Sequence, residues 1–75
     1  MSHLPLISGD KAVQALSRAG FVFVRQKGSH VRMKKQMTDT TLNVTIPLHD
    51  ELDRMTLRSI IKAAELSEDE FIQLL

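Results

Sequence analysis

The spacing of apolar positions changes period several times along the chain, and each change marks a new element. Between Ser8 and Gly20 the residues Ala12, Val13, Ala15, Leu16 and Ala19 recur at helical spacing, which predicts a helix over about 9–19. Ser8 stands at the N-cap position, Gly9 and Asp10 enter the first turn, and Gly20 closes the helix as its C′ residue. The β-branched and aromatic run 21–25 is too short for a helix and predicts a first strand, and Gln26-Lys27-Gly28-Ser29 a turn. From Ser29 onward Val31 and Met33 alternate with His30, Arg32 and Lys34, giving a second strand with one buried face and one basic face. Leu42, Val44 and Ile46 alternate with Thr41, Asn43 and Thr45 up to Pro47, the pattern of a third strand. Leu57, Ile60, Ile61 and Ala64 then fall on one helical stripe, with Thr56 as its N-cap candidate. Ser67-Glu68-Asp69-Glu70 reads as a capping box opening a short last helix whose buried side is Phe71, Leu74 and Leu75.

The predicted order is therefore α-β-β-β-α-α. Three sequential strands with short connections predict an antiparallel meander, and its single apolar face must be covered by the helices before and after it. The expected fold is α+β, with a three-stranded antiparallel sheet and helices on one face only. His30, Arg32 and Lys34 then share the open face with Thr41, Asn43 and Thr45. At 75 residues the chain predicts one domain, 1–75, with 1–7 as a flexible lead-in. Such a chain buries about 60 to 65% of its unfolded surface, which leaves a thin core and argues against a deep enclosed site.

Cysteine is absent, so no disulfide frame, Cys-ligated zinc or thiol nucleophile is available, and a reducing, cytoplasmic setting is expected. The longest apolar run is only four residues, 21–24, and the first residues lack a basic n-region and an apolar h-region, so neither a membrane span nor a signal peptide is expected. The formal net charge of +1 conceals a segregation. Lys11, Arg18, Arg25, Lys27, Arg32, Lys34 and Lys35 occur with no acid between them, whereas eight of the nine acids lie from Asp39 onward. Folded together, these residues give one surface that attracts a polyanion and one that does not.

Only the three histidines have free pKa values near neutrality. His3 lies in the lead-in and reads as a solvated residue, and His49 reads as a loop-ordering partner at the end of the third strand. His30 follows Gly28-Ser29 and has basic residues on both sides. The histidines are 27 and 19 positions apart and form no metal-ligand pair, so no metal or cofactor is expected. Ser29 beside His30 in a strand would point to the opposite face, which leaves a Ser-His-Asp triad unsupported. A lone imidazole in a cationic field suffices for attack of an RNA 2′-hydroxyl on the neighbouring phosphate, with Lys, Arg and loop N–H groups stabilising the phosphorane. Gly28 would let the backbone approach that phosphate.

Three stretches carry a resemblance. Gly20-Phe21-Val22-Phe23-Val24-Arg25-Gln26-Lys27-Gly28-Ser29-His30, then Val44-Thr45-Ile46-Pro47-Leu48-His49, then Thr56-Leu57-Arg58-Ser59-Ile60-Ile61-Lys62 closely resemble the HicA (YcfA-like) toxins of bacterial type II toxin-antitoxin systems. The resemblance runs from about Ser8 to the C-terminus. It implies a double-stranded-RNA-binding-domain-like fold, ribosome-independent mRNA cleavage of the mRNA-interferase kind, and neutralisation by a HicB antitoxin. It further implies that His30 is the catalytic residue. Lys27, Arg25, Arg32 and Lys34 are then the expected RNA-contacting cations, with Gly28 and Ser29 shaping the approach. The expected partners are mRNA and a HicB-like antitoxin. The other reading is a non-catalytic RNA-binding module of the same fold that acts only through RNA or its partner. Where family members carry glycine before the Thr-Leu-Arg segment and after its helix, this chain has Met55 and Glu65, a difference that bears on the loop and C-cap geometry and not on His30.

Overall fold

In the computed structural model, which describes residues 3–75, the chain runs α1 (Gly9–Arg18), β1 (Val22–Lys27), β2 (His30–Gln36), β3 (Thr41–Pro47), α2 (Arg54–Ala63) and α3 (Glu68–Gln73). The strands form one antiparallel meander in the order β1-β2-β3, and the α+β architecture is as the sequence predicts. Val31 and Met33 of β2 and Leu42, Val44 and Ile46 of β3 turn toward the helices, while His30, Arg32 and Lys34 of β2 and Thr41, Asn43 and Thr45 of β3 are exposed. They meet Ala12, Ala15 and Leu16 of α1, Leu57, Ile60 and Ile61 of α2, and Phe71 of α3 in a single core. α1 and α2 both pack chiefly against β3, so the sheet is covered unevenly and β1 lies at the far margin.

Helix ends explain where the strands begin. At the end of α1, Gly20 takes φ +100, its N–H donates to the Ser17 carbonyl (3.1 Å) and the Phe21 N–H donates to the Leu16 carbonyl (3.0 Å). This is a Schellman closure, and its hydrophobic contact is Phe21, which is buried in the core. Phe21 therefore belongs to the cap, and β1 starts one residue later than the apolar run suggested. At its other end β1 extends through Gln26 and Lys27, which were expected in the turn, so only Gly28 and Ser29 connect it to β2.

α2 ends in the same way, but with Glu65 at φ +55 in the glycine position. Its N–H donates to the Lys62 carbonyl (3.0 Å) and that of Leu66 to the Ile61 carbonyl (3.2 Å). The start of α2 differs from expectation. Its N-cap is Asp53, whose carboxylate accepts the Thr56 N–H (2.8 Å) and the Thr56 hydroxyl (2.9 Å), so Thr56 is the recipient of the cap and lies inside the helix. α3 opens on the expected capping box between Ser67 and Glu70. These hydrogen bonds, the backbone N–H of Thr56 foremost for Asp53 and that of Ser67 for Glu70, hold both carboxyls below their ordinary range. Phe71 is fully buried as expected, whereas Leu75 lies past the helix end and is exposed.

Three core residues fall outside the periodic segments. Leu4 and Ile7 of the lead-in and Leu52 of the loop before α2 are all buried, and the Leu52 N–H donates to the Ile7 carbonyl (2.8 Å). A Cβ on Gly9 would overlap the Pro47 carbonyl oxygen and lie 2.8 Å from Leu48 Cα. The absence of a side chain there lets α1 enter against the end of β3, where the Gly9 N–H donates to the His49 carbonyl (2.9 Å).

Candidate active site

The β1–β2 connection positions the histidine. Lys27 and His30 are directly paired across a two-residue turn, with Gly28 at φ +58 in its first position. Positive φ at that position is the demand of a type II′ hairpin turn, whose twist matches that of the strands. The space around a Cβ at Gly28 is open, so glycine is required there by conformation and not by crowding. Two hydrogen bonds brace the tip. The Gln26 side-chain amide donates to the Gly28 carbonyl (2.9 Å), and the Leu48 N–H donates to the Ser29 carbonyl (2.7 Å), which ties the turn to the end of β3.

A bulge in β1 decides which cations join His30. Phe23 stands opposite Met33, but Arg25 stands opposite Arg32, so two steps on β1 match one on β2. In an unbroken ladder Arg25 would oppose Val31 and point toward the helix-covered side. The extra residue, Val24, reverses the facing of everything after it. Arg25 and Lys27 are thereby placed on the same face as Arg32 and His30.

On that face β2 pairs with β3 in unbroken register, with Arg32 opposite Thr45 and Lys34 opposite Asn43. Arg25, Lys27, His30, Arg32 and Thr45 together line a shallow cavity of about 140 Å³. Directly opposed side chains in such a ladder have Cβ atoms about 4.5–5.5 Å apart, so Lys27 reaches His30 and Arg25 reaches Arg32 without rearrangement. Residues 22–36 contain five cations and no acid. Among the described residues no carboxylate forms an ion pair with Arg25, Lys27 or Arg32. The cavity is therefore an uncompensated positive site with one imidazole at its edge, able to hold a phosphate and exchange a proton with it. Among the described residues no group of three His, Asp or Glu side chains gathers as a metal ligand set.

The structure thus brings together four of the expected site residues, His30, Lys27, Arg25 and Arg32. Lys34 shares their face but lies one register step further along β2, opposite Val22 and Asn43, and does not line the cavity. Gly28 and Ser29 form the turn beside the cavity and line none of it. Thr45 is the addition. Strand alternation puts it on this face, and the register opposite Arg32 is what gives it a place at the cavity. His3 and His49 are exposed and line no part of the cavity, and the described bond of His49 is made by its main-chain carbonyl.

A comparison with curated proteins returns no match. A family model described as the HicA toxin of bacterial toxin-antitoxin matches residues 9–66 of the 75. The matched stretch begins at the first residue of α1, contains the whole sheet with every residue of the cavity, and ends at the Schellman closure of α2. The chain therefore belongs to the HicA toxin family.

Proposed function

We propose that this toxin is an RNA endonuclease that cleaves mRNA without the ribosome, and that His30 is its proton-transfer residue. The RNA 2′-hydroxyl attacks the adjacent phosphorus. A P–O2′ bond forms, the P–O5′ bond breaks, and the products are a 2′,3′-cyclic phosphate and a 5′-hydroxyl. His30 serves by taking the 2′ proton or by supplying one to the departing O5′. Arg25, Lys27 and Arg32 bind the phosphate and stabilise the charge that builds on its oxygens. Lys34 extends the cationic track for neighbouring phosphates, and Gly28-Ser29 keeps the hairpin tip narrow beside the scissile position.

The observation that carries this reading is the exposed His30 in a cavity ringed by three cations to which, among the described residues, no carboxylate is paired. A HicB-like antitoxin is the natural restraint on such a site in the cytoplasm, and it would act by covering the basic face. Expression of the chain and of its His30→Ala form tests the reading. The parent is expected to arrest growth with loss of cellular mRNA, and the variant to do neither while remaining folded. Growth arrest by a folded His30→Ala protein with intact mRNA would instead favour a toxin that acts by binding alone.

A further inference from the structure

β1 is an edge strand, and its first half is apolar on both faces. Val22, Phe23 and Val24 are 54%, 58% and 42% exposed, although they lie in the middle of a run that reads as core. The reason is the uneven cover of the sheet. The helices sit over β3, so Phe23, which faces the helix side beside buried Met33, projects past their margin. Val22 lies on the opposite face in register with Lys34. Natural edge strands are usually short, charged or covered, and an edge with adjacent exposed apolar residues is a template for another strand.

We infer that the outer edge of β1 is a docking strand for an extended segment of a protein partner, apolar where it lies against Val22, Phe23 and Val24 and acidic where it passes Arg25 and Lys27. Three observations select that occupant. Among the described residues no strand pairs with the outer edge of β1, which offers a row of N–H and C=O groups that a peptide strand matches and a nucleic acid does not. The apolar residues occupy both faces of one half, so the incoming segment must be apolar at consecutive positions there. The other half carries Arg25 and Lys27 on the cavity face, where an alternating pair of Asp or Glu side chains would meet them. A second copy is disfavoured by the same charges. Antiparallel self-pairing of β1 would add Arg25, Lys27 and Arg32 of each copy to one acid-free sheet face. Occupation of this edge uses neither His30 nor proton transfer, so it stands or falls separately from the RNA-cleavage reading.

The test is a titration of the isotopically labelled full chain with a ten-residue extended peptide, Val-Thr-Val-Ile-Val-Asp-Ile-Glu-Ser-Thr, followed by amide shifts and hydrogen exchange. Saturable shifts and added protection across Val22–Lys27, with β3 amides unchanged, are expected. Replacing the peptide's Asp and Glu by Lys, or Phe23→Lys in the chain, should each weaken binding at least about tenfold. Thermal melts of the Phe23→Lys chain confirm that it is folded. Equal binding of the Lys-substituted peptide, shifts on β3 instead of β1, or saturation of β1 amides by single-stranded RNA but not by the peptide would overturn the inference. Concentration-dependent self-association that protects β1 without peptide would assign the edge to a second copy and overturn it as well.

Discussion

Arg25 and Arg32 face each other directly across the sheet, and among the described residues no carboxylate is paired to either. Like charges in that relation cost stability, by about 0.2–1 kcal/mol for a pair. Such an arrangement makes sense where an anion completes it, so stability and binding should respond in opposite directions to its removal. Arg25→Gln is expected to leave the fold unchanged or more stable by up to about 0.5 kcal/mol, while lowering affinity for RNA of any sequence. Its salt dependence of binding should fall by about 0.7–0.9 in log–log slope for the one lost phosphate contact. Anisotropy titrations at several salt concentrations measure this, and an unchanged slope would remove Arg25 from the phosphate site. Among the site residues Arg25 and Lys27 are also the two whose places depend on something that alternation does not encode. The pattern 21–25 counts as a plain apolar strand, and only the bulge at Val24 turns the arginine toward His30. His30 and Arg32 needed no such device, because β2 alternates without interruption.

At the scale of elements, the closure of α2 is where this chain departs most clearly from glycine. α1 and α2 make the same pair of capping hydrogen bonds, but Gly20 supplies the left-handed residue in one and Glu65 in the other. A non-glycine residue in that conformation costs about 1–2 kcal/mol, part of which glycine gives back through its looser unfolded chain. Glu65→Gly is therefore expected to stabilise the domain by about 1 kcal/mol, or roughly 4 to 8 °C in Tm for a domain of this size. A thermal melt showing no gain would mean that the Glu65 side chain compensates the strain. Gly9→Ala should act in the opposite sense, because the obstacle is the main chain at Pro47 and Leu48 and not a movable side chain. A loss of about 1–3 kcal/mol is expected from that overpacking. The two carboxylate caps add a pH dependence. Asp53 and Glu70 are held below their ordinary range when folded, so they contribute stability above that range and lose it as pH falls from about 4 downward. Asp53→Asn keeps a cap that does not titrate, and melts across pH 2–7 should show a shallower acid limb. A limb as steep as the parent's would place the acid sensitivity elsewhere.

For the whole molecule, periodicity sufficed wherever an element has one buried face. That holds for α1, β2, β3 and the stripe of α2, and hence for the layer order and for the residues that β2 and β3 give to the basic face. It failed where burial comes from chain segments with no period of their own. Leu4, Ile7 and Leu52 are core residues in a lead-in and a loop, joined through the Leu52–Ile7 hydrogen bond, and the cap of α2 is Asp53 where the spacing points to Thr56. The exposure of β1 was likewise illegible, since an apolar run does not say how far the helices reach across the sheet. What the assembled fold does is hold a histidine at the end of a braced hairpin, within a stretch, 22–36, that carries five cations and no acid. On the function proposed above, this histidine breaks RNA. The most direct measurement is cleavage of a defined mRNA fragment by the purified chain and by His30→Ala, both shown to be folded, beside the same fragment with 2′-deoxy substitution throughout. Cleavage of the RNA by the parent alone is expected, and none of the 2′-deoxy strand. Undiminished cleavage by folded His30→Ala, or equal cleavage of the 2′-deoxy strand, would contradict that function.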